Sequence, residues 1–131
     1  MPVYERIASP SWPDRMTFSP AVRAGRLLFI SGTTAVNENR EVVGEGDIVA
    51  QTRIIFQKFE KILKEAGASF DNIVETTDYF LTFEDYKRTA EVRREFFKGP
   101  PYPAATGVQV AGLMREHALI EIKAIAVLDE A

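Results

Sequence analysis

The sequence predicts an α+β fold in the order strand, strand, helix, strand, helix, strand, strand, with both helices on one face of a single sheet. Three observations carry this. Apolar residues recur at helical spacing over 48–66, and short apolar or alternating runs bounded by turn residues lie on either side. The last run, 118–128, has one wholly apolar face: Ala118, Ile120, Ile122, Ala124, Ala126 and Leu128. Its other face reads Leu119, Glu121, Lys123, Ile125 and Val127, too apolar for open water yet carrying two charges that a dry core rejects. A second subunit over that face, leaving water or a ligand beside Glu121, resolves the conflict. The alternative is a Glu121 and Lys123 pair on a partly wet sheet surface.

The 131 residues suit a single domain, 1–131, able to bury about two thirds of its unfolded surface without metals or disulfides. There is no cysteine, which excludes thiol nucleophiles, thiolate metal sites and a disulfide scaffold and fits a reducing compartment. No segment has the apolar run of a signal peptide or a membrane span, so a cytoplasmic protein with no membrane partner is expected. Sixteen basic residues are scattered among nineteen acidic ones for a net charge of −3, which disfavours a nucleic-acid partner.

Taken in order, Trp12, Pro13 and Asp14 read as a turn, with the lone tryptophan packed in a core or interface or lying over a cleft. Residues 17–23 and 27–33 are two strands joined at Ala24 and Gly25. Gly32, between Ser31 and Thr33, marks a bulge or a close approach to the backbone. A turn at 37–40 and the break at Gly44 and Gly46 precede a helix capped by Asp47 and stopped by Gly67. Its apolar stripe is Ile48, Thr52, Ile55, Phe56, Phe59, Ile62, Leu63 and Ala66, with Lys58 among the charged residues largely outside it. Strand 73–81 alternates, placing Val74, Thr76, Asp78 and Phe80 on one face.

Thr82 caps a second helix that ends near Lys98 and Gly99. Its stripe of Tyr86, Ala90, Arg93 and Phe97 includes a cation, whose guanidinium either snorkels to solvent or points into a cleft to meet an anion. The segment 98–103 holds three prolines and is a stiff connector. It leads into strand 104–112, where Thr106, Val108 and Val110 share a side and the small Ala104, Ala105 and Gly107 suit either a pocket wall or tight strand packing. His117, the only histidine, falls in the polar turn before the last strand and builds no metal site.

The chain resembles the RidA/YjgF family of enamine and imine deaminases over nearly its whole length. The resemblance is carried by Phe18-Ser-Pro-Ala-Val-Arg-Ala-Gly25, Leu28-Phe-Ile-Ser-Gly32, Gln51-Thr52, Ala66-Gly-Ala-Ser69, Thr76-Thr77, Phe96-Phe97, Pro101-Tyr-Pro-Ala104 and Ile120-Glu-Ile-Lys-Ala-Ile-Ala126. It implies a RidA-like, chorismate-mutase-like sheet and a homotrimer with a central barrel-like core and three inter-subunit clefts. The family's glutamate is Glu121, and the glycine whose backbone lines the cleft is Gly32. The carboxylate-binding arginine is replaced by Ala105, the tyrosine before Ser-Pro by Phe18, the residue two after the arginine by Gly107, and the asparagine of the second helix by Ala90. The chain is thus similar to branches lacking that arginine.

A shielded arginine contact to a carboxylate contributes about 1.5–3 kcal/mol, so its loss costs about one to two powers of ten unless replaced. Arg93, one helical turn from Ala90, is the candidate replacement, reshaping the pocket toward a longer 2-aminomuconate-like acid. The resemblance implies hydrolytic deamination of a small enamine or imine carboxylic acid, with Glu121 moving the proton and Phe18, Gly32, Thr33, Arg93, Ala105, Thr106 and Gly107 binding substrate. No metal or cofactor is required, and no glycine-rich phosphate loop is present. A trimer that binds a small acid without turnover, as sensor or scavenger, is the alternative.

Overall fold

The computed structural model describes residues 1–130. It is an α+β fold: six strands, β1 (Glu5–Ile7), β2 (Ala21–Ala24), β3 (Leu27–Thr33), β4 (Ile73–Phe80), β5 (Ala104–Gln109) and β6 (Ile120–Val127), form one sheet in the order β1-β2-β3-β6-β4-β5. Every pair is antiparallel except β4 with β5. The parallel pair is bridged by the second helical region, because parallel neighbours cannot be joined by a hairpin. The apolar β6 lies between β3 and β4, where one face meets the helices; Ile120, Ile122 and Ala126 are fully buried there.

Helix α1 (Ile48–Glu65) begins where expected, with Asp47 Oδ1 accepting the Ala50 N–H at 3.1 Å. It stops at Gly67, whose φ of +74° suits a residue without Cβ. Ile48, Thr52, Ile55, Phe56, Phe59 and Leu63 of the stripe are buried, and Ile62 and Ala66 are half-buried at its margin. Phe56 is the hub: its ring packs edge-on against Phe70, Phe96 and Phe97 at 5.3–5.7 Å. Gln51 is also fully buried. Its amide donates to the carbonyls of Gly44 and His117 and its oxygen accepts the Leu119 N–H at 2.8 Å, tying the helix to the turn before β6.

Several elements depart from the sequence reading. Strand β1 is unforeseen, because three polar-flanked residues at an exposed edge carry no alternation to read. In β4, register slips between Ile73 and Glu75, so Val74 is an extra, exposed residue and Ile73 turns inward. The strand's faces therefore divide as expected from Glu75 onward, and only Ile73 and Val74 are exchanged. The second helix is broken into α2 (Phe83–Tyr86), a 3₁₀ turn at Lys87–Thr89, and α3 (Ala90–Phe96). The tighter turn shifts the phase, so Thr89 and Val92 face inward while Ala90 is exposed. β2 begins four residues later than expected and β5 is shorter, a fully exposed edge strand.

The sheet face away from the helices is uncovered in the single chain. Leu27 pairs with Val127 and Phe29 with Ile125 across β3 and β6, and Leu27, Phe29, Val74 and Val108 are exposed on the sheet. No helix of the described residues is long and apolar enough to cross a membrane. Removing the aromatic hub tests the core directly: Phe56→Ala is expected to cost about 3–5 kcal/mol, read as a lowered midpoint in urea unfolding with little change in slope.

Candidate functional site

The site is organised by a misfit between β3 and β6. Ile30 pairs with Ala124, but the next ladder pair is Thr33 with Ile122, so β3 spends one more residue than β6 over the interval. The extra residue makes a bulge at Ser31 and Gly32. It is fastened on the β2 side, where the Ser31 hydroxyl donates to the Ser19 carbonyl at 2.6 Å and the Ser31 N–H to the Pro20 carbonyl at 2.9 Å. On the helix side, the Lys58 ammonium donates to Thr33 Oγ1 at 2.6 Å and to the Thr34 carbonyl at 3.1 Å.

Glu121 occupies the space that the bulge opens. It pairs with Tyr79 on the uncovered face and is half-buried. A Cβ at position 32 would lie only 2.6 Å from Glu121 Oε2, so the carboxylate rests against bare backbone, and any side chain at that position would make the glutamate tip swing away. The expectation that Gly32 marks a close approach is thus met by the one carboxylate of β6. Beside it lies a shallow depression of about 260 Å³ walled by Ser19, Val22, Phe29, Gly32 and Lys123. Lys123, two residues from Glu121 and on its face, is exposed.

The other expected residues divide between the two faces of the sheet. Thr106 pairs with Thr77 and joins the face of Glu121. Ala105 and Gly107 pair with Thr76 and Asp78 and belong to the helix face; a Cβ on Gly107 meets the Phe80 and Tyr86 rings at 3.2 Å. The Thr33 hydroxyl also turns to the helix side, toward Lys58. Phe18 sits half-exposed in the loop before β2, with its ring edge-on to Trp12 at 5.4 Å and its carbonyl accepting the indole N–H. That places the lone tryptophan in a loop, half-buried, rather than in the core.

Arg93 is on the helix face, opposite to Glu121, and it has a partner. Its Nη1 lies 3.6 Å from Asp78 Oδ2, and its guanidinium stacks over Phe97 at 5.0 Å. The same Asp78 oxygen accepts the Tyr86 hydroxyl at 2.7 Å, and the Tyr86 ring stacks on Phe80. Burial pushes the Asp78 carboxyl above its usual range, against the opposing pull of Tyr86 and Arg93. Burial and the Asp78 charge likewise raise the Tyr86 phenol. Thr76 Oγ1, Asp78 Oδ1 and Arg93 Nη1 remain buried without hydrogen-bond partners. The reading of the sequence missed this group; the signal was an acid on the apolar face of β4 and a base on the apolar stripe of α3. His117, at φ +70° in an exposed turn, lies 3.2 Å from Glu45 Oε1, and no group of three or more potential metal ligands occurs among the described residues.

This architecture is widely shared. A family model described as endoribonuclease L-PSP matches residues 11–128. A RutC family protein of Pyrococcus horikoshii is 36% identical over 109 residues, covering 83% of this chain and 85% of that one. The 3-aminoacrylate deaminase RutC of Acinetobacter baylyi is 34% identical over 114 residues, covering 87% and 89%. The crystal structure of YyfA, a Rid family protein of unknown function from Yersinia pestis, superposes with a TM-score of 0.85 at 28% identity, covering 95% and 99%. The chain belongs to the endoribonuclease L-PSP family, that is, the RidA/YjgF family.

Proposed function

We propose that this protein is a hydrolytic deaminase of a small enamine or imine carboxylic acid, acting at clefts between the subunits of a homotrimer in the cytoplasm. The observation that carries the reading is the seat of Glu121: a half-buried carboxylate on the uncovered sheet face, between the aliphatic Leu119 and Ile125 and near Lys123, pressed against Gly32 beside an open depression. Among the described residues no basic side chain lies within ion-pair distance of this carboxylate, which leaves it free to meet a substrate. The relative from Acinetobacter baylyi is named for deaminating 3-aminoacrylate, an enamine acid of the class required.

Glu121 first assists tautomerisation, moving the enamine proton to carbon and leaving C=N. It then takes a proton from the water that adds to the C=N carbon and returns it to nitrogen, giving a carbinolamine, and moves the proton of the new hydroxyl to nitrogen as that carbinolamine collapses. The C–N bond breaks, ammonia departs and a carbonyl remains. Neither metal nor cofactor enters any step.

The division of the other candidates between two sheet faces favours a composite site. Gly32, Thr106 and Glu121 lie on the uncovered face, while Ala105, Gly107 and Arg93 border the edge strand on the helix side. Two copies meeting through the uncovered apolar face and the β5 edge bring both sets to one cleft, with Phe18 and Thr33 at its margin. Arg93, whose Nη1 faces Asp78 at 3.6 Å without a hydrogen bond, supplies the acid-binding fork where Ala105 cannot. That pairing also favours the second reading, a small-acid-binding trimer, because a guanidinium shared with Asp78 holds its ligand less firmly.

Ammonia release from freshly generated 3-aminoacrylate, 2-iminopropionate and 2-aminomuconate separates the two. Turnover is expected with at least one acid, and Glu121→Gln should lower kcat by about 10²–10⁴ with little change in KM. Binding of these acids without ammonia from any of them would transfer the protein to the sensor reading. Replacing the buried ion pair as a unit, Asp78→Asn with Arg93→Gln, should raise KM for the acid about tenfold to a hundredfold, and an unchanged KM removes Arg93 from the site. Sedimentation equilibrium should give three chains per particle, and Phe29→Asp should shift the protein toward monomer and abolish turnover together.

A further inference from the structure

Lys58 is a half-buried cation without a carboxylate among the described residues, and it is set against the strand that seats Glu121. Its ammonium reaches from the middle of α1 to the end of β3, where it donates to Thr33 Oγ1 and to the Thr34 carbonyl. The Thr33 hydroxyl passes the bond on to the same Thr34 carbonyl at 3.2 Å. Arg115, from the turn before β6, is the charged group that bears on Lys58, and it is another cation; its Nη1 donates to the Arg40 carbonyl. Among the described residues no Asp or Glu lies within ion-pair distance of Lys58.

Holding an ammonium there works against the fold. Burial first, and the Arg115 charge second, bring the Lys58 amine down from 10.5 to about 8. Because the folded value lies below the unfolded one, the charged lysine opposes folding below about pH 8, and the opposition fades as pH rises toward 10.5. A neutral side chain at position 58 avoids that cost. A charge kept at the expense of stability points to a task, and the task is legible in what the ammonium holds.

We propose that Lys58 is a positioning residue for Glu121: by fixing Thr33 and the Thr34 carbonyl it clamps the helix-side end of the β3 bulge, opposite to the Ser31 anchor, and so sets the height of the Gly32 backbone on which the carboxylate lies. The inference rests on the reading of Glu121 as the proton carrier. An ammonium donates three charge-assisted bonds and a neutral amine two weaker ones, so the clamp is firm below about pH 8 and loosens above it. Activity and stability must then move in opposite directions through the same pH window.

The test uses the whole protein and its Lys58→Met and Lys58→Arg variants. Two measurements run together from about pH 6 to about pH 10: kcat and KM on an acid that the wild type deaminates, and amide hydrogen exchange of residues 31–34 against the rest of the sheet. Wild-type kcat is expected to fall as pH rises through about 8 while exchange in 31–34 quickens. Lys58→Met should lose about tenfold to a hundredfold in kcat with KM little moved, show fast exchange confined to 31–34, and no longer fall above pH 8. Lys58→Arg should recover wild-type kcat at neutral pH and carry the fall to higher pH. The proposal is overturned if Lys58→Met keeps the wild-type rate and exchange, if exchange quickens uniformly across the sheet, or if the alkaline fall is the same in Lys58→Arg. Should the wild type release ammonia from no acid, the deaminase reading fails on that result alone. The exchange arm then decides Lys58 separately, a local rise in Lys58→Met upholding the clamp and no rise removing it.

Discussion

The arrangement depends on the contact between the Glu121 carboxylate and the bare backbone at Gly32. Glu121 can turn its carboxylate against the neighbouring strand because position 32 has no side chain; a Cβ there would lie 2.6 Å from Oε2 and drive the carboxylate out of this seat. The bulge follows from the same requirement. With one residue more on β3 than on β6, the backbone at Gly32 swings out of register and presents a smooth surface instead of a ladder partner. Such a deformation is tolerable because its flanks are tied down, by Ser31 to the lead-in of β2 and by Thr33 to α1.

Much of this was legible in the residues because the fold obeys simple periodicities. The alternation over 118–128 separates a face whose members are all buried from one whose members are half-buried or exposed. The caps of α1 fall at Asp47 and Gly67, where short polar and Cβ-less side chains belong. What escaped is equally physical. The extra residue at Val74 reverses one side chain of β4 without leaving a mark in the pattern, since valine suits either face. The 3₁₀ turn at Lys87–Thr89 winds more tightly than the assumed helix and rotates every later residue, which is why Ala90 is exposed and Val92 buried.

The candidate site was legible in part for a related reason. Glu121 and Gly32 each broke a local rule, a charge among aliphatics and a glycine in an apolar strand, and they proved to explain each other. Arg93 broke a rule too, but its nearest partner, Asp78, is remote in sequence, on a strand whose pattern had been assigned to ordinary packing. Lys58 looked like one more charge on the outer side of an amphipathic helix. A lysine stem is long enough to bury itself from such a margin, and helical spacing alone does not register that.

One consequence of the strand order concerns how the molecule comes into being. β6 is the last strand along the chain but the middle of the sheet, with β3 on one side and β4 on the other. Until it arrives, the hairpin of β2 with β3 and the parallel pair of β4 with β5 have nothing between them, and α1 has no floor for Ile55 or Phe59. Assembly must therefore wait for contacts between distant parts of the polypeptide, the slow regime of folding. A nascent or truncated chain lacking residues beyond 120 exposes two unpaired strand edges at once, the condition under which intermediates stick to one another and chaperones are recruited.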